Sequence, residues 1–167
     1  MKRGATTTLA VMAVALGVAL LIHSRFEQWV AQTDLPSVLS EVGAEVRAHD
    51  GTLLRAFAVE NGRMRLGVKL QQVDPQFIAM LIAYEDKRFF DHKGIDLRAM
   101  VRAAGQAVWH GEIVSGASTL TMQVARLLEN SGTGSRAGKL RQIRVALALE
   151  QRLSKEDILT LYLHHAP

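Results

Sequence analysis

The chain has 167 residues, room for about one domain of ordinary size. It contains no cysteine, which excludes disulfides, thiol redox chemistry and lipidation on Cys. The formal net charge is +4, but Lys2 and Arg3 carry two of those charges and much of the rest is local, with seven Lys/Arg against two Glu in residues 126–155.

Ala5–Ile22 ("ATTTLAVMAVALGVALLI") is uncharged over 18 residues, within the roughly 17–25 that a helix needs to span a bilayer. Lys2 and Arg3 precede it, so the positive-inside rule keeps residues 1–24 as a cytoplasmic tip and anchor and exports the remainder of the chain. The next segment, "HSRFEQWVA", offers no small-x-small cleavage pattern, which favours an uncleaved anchor over a signal peptide. An exported domain rarely meets nucleic acid, so the basic residues of 126–155 suit phosphate-bearing lipid better.

Residues 25–43 are polar and mixed, broken by "DLPS", and read as a tether. "AEVRAH-DG-TLLRAFAV" has the form of a hairpin turning at Asp50-Gly51, with a second turn at Asn61-Gly62. From residue 74 the signals are helical. Asp74-Pro75 starts a helix with Phe77, Ile78, Leu81 and Ile82 at helical spacing, expected to be buried. Asp96 caps a second helix ending near Trp109-His110-Gly111, and Ser118 or Thr119 caps a third, "LTMQVARLLE". "NSGTGSRAG" reads as a glycine-rich loop, Lys139–Leu153 as a fourth helix, and Ser154 with Asp157 as the capping box of a fifth. The chain stops at "YLHHAP", which reads as a truncation.

"AYEDKRFFDHKGID", residues 83–96, carries the densest chemistry. Acids at a helix C-terminus oppose the helix dipole, so Glu85 and Asp86 are poor helix trimming. Phe89 and Phe90 come next as an apolar wall, and desolvation there raises a carboxylate pKa, which suits a general base. Structural ion pairs mimic such sites often enough to leave both readings open. A metal site built from Asp86, Asp91, His92 and His49 matches no known ligand spacing. His164-His165 reads as helix surface. "SGASTLTMQ" is either a helix cap or an anion-binding helix N-terminus with hydroxyls at Ser118, Thr119 and Thr121. Lys139 and Gln142 share one helix face, while Arg141, Arg144 and Arg152 lie on a roughly opposite, solvated one.

Taken in order, "EDKRFFDHKGID", "GASTLTMQVARLLE", "GKLRQIRVALALEQRLSKEDIL" and "LYLHHAP" resemble glycosyltransferase family 51, the peptidoglycan glycosyltransferase domain of class A penicillin-binding proteins. The likeness covers residues 44–167, and Met122-Gln123 and "GKLRQ" are similar to its C-type subgroup. The resemblance implies a mainly α, lysozyme-like domain with a small N-terminal β-element, preceded by one transmembrane helix. It implies polymerisation of lipid II with inversion and release of undecaprenyl pyrophosphate. Glu85 matches the family's general base. Asp86, Phe89, His92 and Gly94 complete that motif, and Ser118, Thr119, Gln123, Arg126, Arg136, Lys139 and Gln142 match positions that handle donor and pyrophosphate.

Gln142 stands where the family usually has a second glutamate, credited with helping the pyrophosphate or a divalent metal. An amide adds no charge, so no cofactor is expected to be required, Mg2+ or Mn2+ being the metals the resemblance allows. His164 stands where the family often has asparagine. The implied partners are lipid II, the growing glycan strand, the membrane and other cell-wall synthesis proteins, and the implied location is the bacterial inner membrane with the C-terminal domain periplasmic. Two rivals remain: a lysozyme-like hydrolase, which would want a raised-pKa acid and a positioned water, and an inactive tethered fragment that binds lipid II or a partner.

Overall fold

A computed structural model describes residues 2–38, 41–60, 62–111, 116–129 and 135–166; the side chains of residues 2–10 and of Arg136 lie outside the described part. The chain divides into two units, Met1–Asp34 and Leu35–Pro167.

The first unit is one helix, α1 (Lys2–Ala31), whose Val11–Ala31 stretch is long and apolar enough to cross a membrane. At 1.5 Å per residue, 30 residues extend about 45 Å. The helix runs through residues 25–31, which the sequence assigns to the tether. That stretch is polar but contains no glycine or proline, so hydropathy drops while helix propensity does not. Phe26 and Trp29, three residues apart on one face, pack their rings at 5.9 Å.

The second unit is mainly α, with a two-stranded antiparallel hairpin at its start, as expected. Strands β1 (Glu45–Arg47) and β2 (Leu53–Ala56) pair Glu45 with Ala56 and Val46 with Arg55. Gly51 takes a φ of +87° in the turn, and Asp50 accepts the Thr52 N–H at 2.9 Å. A turn at Gly62 comes next, closed by its N–H on Val59 O; Asn61 lies outside the described residues.

Helix α2 (Pro75–Glu85) starts where Asp74 accepts the Gln76 N–H. It is not the buried helix that its apolar run suggests. Ile78, Leu81 and Ile82 lean on the core, but Phe77, Met80 and Tyr84 are exposed and no residue is fully buried. Helix α3 (Leu97–His110) is capped by Asp96 and stopped by Gly111 in the left-handed region.

The core is built by α4 (Leu120–Glu129), α5 (Arg136–Arg152) and α6 (Lys155–His165). Leu120, Val124 and Ala125 meet Val145, Ala146, Leu149, Ile158 and Leu159, with Phe89 added from the loop after α2. Helix α5 begins one turn before Lys139 because Ser135 caps it, accepting the Gly138 N–H at 3.0 Å. Residues 130–134 of the expected glycine-rich loop lie outside the described residues. The Ser154–Asp157 capping box of α6 forms as its spacing predicts.

Gly94 brings the loop after α2 onto α5. Its φ is +91°, and a Cβ there would lie 2.8 Å from the Ala146 carbonyl oxygen. Only glycine allows this approach without strain.

Candidate active site

Glu85 ends α2, and Asp86 breaks away from helical geometry at φ −159°, ψ 78°. The two neighbouring acids thereby part. Asp86 turns inward and is 8% exposed. Its Oδ2 accepts the Leu120 N–H at 2.9 Å and lies 2.9 Å from His92 Nε2. An anion is misplaced at the C-terminus of α2 but well placed at the N-terminus of α4, where the helix dipole and a free N–H receive it. That is why an acid can come directly after α2.

Glu85 remains half-buried, with Oε2 accepting from Gln123 Nε2 at 2.7 Å. Its other oxygen takes no hydrogen bond among the described residues. Glu85 lines a cavity of about 310 Å³ with Tyr84, Lys87, Arg88, Arg102 and the Gly116–Thr119 loop. Arg88 is tied to Asp96, Nε donating at 2.9 Å. Burial opposes ionisation of Asp96, yet the Ala99 N–H and the Arg88 guanidinium outweigh it and hold the carboxyl below its usual range.

The loop 116–119 divides its hydroxyls between two tasks. Thr119 is buried, donating from Oγ1 to Gly94 O at 2.6 Å and accepting the Met122 N–H at 3.1 Å, so it caps α4 and fastens the Gly94 loop. Ser118 instead accepts from Lys139 Nζ at 2.7 Å. Lys139 is exposed by surface area, but its ammonium is desolvated enough that burial, with the Arg126 charge second, lowers its pKa. Gln142, one turn further along α5, is 3% exposed.

The structure thus groups the sequence-predicted residues into two sets. Glu85 with Gln123, and Lys139 with Ser118 and Arg126, present functional groups. Asp86, Phe89, His92, Gly94 and Thr119 are scaffold: Phe89 is wholly buried, Gly94 packs on α5, and the Asp86 and Thr119 side chains are committed to internal hydrogen bonds. The expected aromatic wall beside Glu85 does not form: Phe89 is buried in the core, Phe90 is 62% exposed, and neither lines the cavity. Arg136 opens α5, and its side chain is outside the described residues.

Other residues were not legible as site residues. Lys87 and Arg102 add cations to the cavity beside Glu85. Burial and then the Glu85 charge raise the Tyr162 phenol pKa, against a smaller opposing effect of Arg126, which ties Tyr162 electrostatically to both groups. His164 is no bare helix surface: its Nε2 is 2.8 Å from Val68 O, and Arg65 donates to its carbonyl at 3.1 Å. Burial, then the Arg65 charge, lowers the pKa of His165. Arg141 pairs with Glu129 and so is not simply solvated. Asp86, Asp91, His92 and His49 do not gather as ligands, and among the described residues no group of three His, Cys, Asp or Glu is placed to hold a metal.

The family model described as Transglycosylase matches residues 50–167. The chain is 43% identical to penicillin-binding protein 1C of Escherichia coli over 168 residues, covering 99% of this chain and 21% of that protein. It is 34% identical to penicillin-binding protein 1A of Escherichia coli over 78% of this chain and 15% of the relative. It is 36% identical to penicillin-binding protein 1A of Pseudomonas aeruginosa over 78% of this chain and 16% of the relative. The chain spans about a fifth or less of the length of these relatives.

Proposed function

From a chain that belongs to the transglycosylase family, we propose a peptidoglycan glycosyltransferase that polymerises lipid II into glycan strands and releases undecaprenyl pyrophosphate. The observation that carries this reading is a carboxylate, Glu85, held through one oxygen by Gln123 on the wall of a cation-lined cavity. Beside α4 lies a lysine, Lys139, docked on Ser118.

Each group has one task. The free oxygen of Glu85 takes the proton of the acceptor sugar's 4-hydroxyl as that oxygen bonds to C1 of the donor. The bond from C1 to the pyrophosphate oxygen breaks with its electron pair, on the opposite face, so configuration inverts. Pyrophosphate leaves as a stable anion and needs charge more than a proton, which Lys139 and Arg126 supply. Gln142 offers an amide where a metal would want a carboxylate, so no step is assigned to a metal.

Helix α1 anchors the domain in the bacterial inner membrane with residues 35–167 on the periplasmic side, where lipid II, the growing strand and other cell-wall synthesis proteins are its partners. The support for this is the length and apolarity of Val11–Ala31, with Lys2 and Arg3 ahead of it. The test is incubation of the purified chain with labelled lipid II. Lengthening glycan products support the reading. Shortening of preformed glycan without polymer growth makes it a hydrolase, and binding of lipid II without turnover makes it a tethered binder.

A further inference from the structure

We propose that Lys155 is a positioning residue for this reaction, a clamp that sets where Glu85 stands without touching substrate. The proposal rests on the glycosyltransferase reading above. Lys155 opens α6, and its Nζ makes three contacts, two to the loop after α2 and one to α5. It donates to the His92 carbonyl at 2.7 Å, donates to Glu150 Oε1 near the end of α5 at 2.7 Å, and lies 4.4 Å from the centre of the Phe89 ring. Glu150 Oε1 also takes the Thr121 hydroxyl at 2.6 Å, which adds α4 to the junction. Both charges are sheltered, with side-chain exposures of 20% for Lys155 and 6% for Glu150.

The contacts bear on Glu85 through short steps. The His92 carbonyl fixes the residue whose ring meets Asp86 Oδ2, and that oxygen also holds the first N–H of α4. Asp86 adjoins Glu85, and α4 carries Gln123, the donor to Glu85. Lys155 therefore constrains the glutamate from two directions, through the loop and through α4. It does not line the cavity beside Glu85, so its effect passes through other residues. A sheltered ion pair stripped of one partner leaves an uncompensated charge, whereas removal of both is milder. Nothing in the sequence distinguishes Lys155, since an acid-rich first turn with one lysine is ordinary helix chemistry.

The experiment uses the full chain in detergent with labelled lipid II, comparing wild type, Lys155→Met, Lys155→Arg and the pair Lys155→Met with Glu150→Gln. Assays run well below each variant's melting temperature. Lys155→Met is expected to lower kcat by about 10- to 100-fold, the scale of a misplaced reacting group, with KM within about threefold. Lys155→Arg recovers most of the rate, and the double variant is no worse than the single one. Native-state hydrogen exchange supplies a readout independent of turnover: protection of the Leu120 amide falls selectively in Lys155→Met, while Val145 in α5 keeps its own. An unchanged kcat, a raised KM at normal kcat, or a uniform loss of protection across both helices overturns the clamp. A wild-type chain that makes no polymer overturns the glycosyltransferase reading instead, and the exchange pattern still decides whether the clamp exists.

Discussion

Gln123 reaches across 38 residues of sequence to donate a 2.7 Å hydrogen bond to Glu85. One carboxylate oxygen is thereby fixed, while the other, the oxygen to which the proposed mechanism gives the role of base, takes no hydrogen bond among the described residues.

Replacement of Glu85 by Gln keeps the shape of the side chain and removes its basicity. Loss of general-base catalysis lowers the polymerisation rate by roughly 10²–10⁴. Circular dichroism and the melting temperature stay close to wild type, because Glu85 is half-buried at the end of α2 and outside the apolar core. Near-normal turnover by a folded Glu85→Gln protein removes Glu85 from the role of base.

Lys139 gives the reaction an alkaline limit. Burial of its ammonium, and then the Arg126 charge, hold its pKa below the ordinary lysine value. Its charge is present below that lowered pKa and lost as pH rises through it, so on the proposed mechanism neutralisation of the leaving group fails earlier than a free lysine would allow. Arginine keeps its charge throughout. The measurement is kcat/KM against pH for wild type and Lys139→Arg: the variant's alkaline limb extends to higher pH, and superimposable limbs sink the assignment.

Asp96 makes part of the stability acid-sensitive. Its folded pKa is held below the ordinary aspartate value of 3.8, so its contribution is complete above that value and lost as pH falls through the folded one. Asp96→Asn retains a capping side chain but gives up the charged pairing with Arg88, costing about 1–2 kcal/mol near neutral pH. Melting curves from neutral to acid pH check this: the difference between wild type and variant shrinks as the wild-type carboxyl is protonated.

Gly94→Ala tests the seat of the loop on α5. The left-handed backbone costs roughly 1–2 kcal/mol for a residue with a Cβ, and the added methyl meets the Ala146 carbonyl at 2.8 Å. The melting temperature and the polymerisation rate both fall. A variant as stable as wild type shows that the loop does not rest on α5 as described.

For α1, the expected outcome is retention of the chain in the membrane fraction after carbonate washing, with its N-terminal sequence intact. A soluble periplasmic protein beginning near residues 24–32 contradicts the anchor.

Local chemistry was readable from the sequence, and convergence was not. Asp74, Asp96 and the Ser154–Asp157 pair act within a few residues of themselves, so their caps could be placed from spacing alone. Ser135 does the same, but it sits at the edge of a glycine-rich stretch that reads as loop, which hid the first turn of α5. Asp86 and Thr119 add to their local bonds partners 34 and 25 residues away, and it is that long-range part of their commitment that left no trace in the motif itself. Phe89 and Phe90 are indistinguishable by type, and only the short 3-10 turn at Phe89–Asp91 decides which ring enters the core. Arg102 carries an ordinary helix-surface signal, and its place beside Glu85 depends on how α3 lies against the loop at 116–119.

The bonds that hold the site also set an order in time. They join Glu85 to Gln123, Asp86 to Leu120 and His92 to Lys155, across 38, 34 and 63 residues. A chain made from its N-terminus completes its apolar helix first. The carboxylate emerges well ahead of the lysine at the start of α6, and until that lysine appears no clamp closes on the Phe89–Gly94 loop. Of the elements that meet at this site the start of α6 comes last, so the site closes only after α2, the Phe89–Gly94 loop and α4 have all been made.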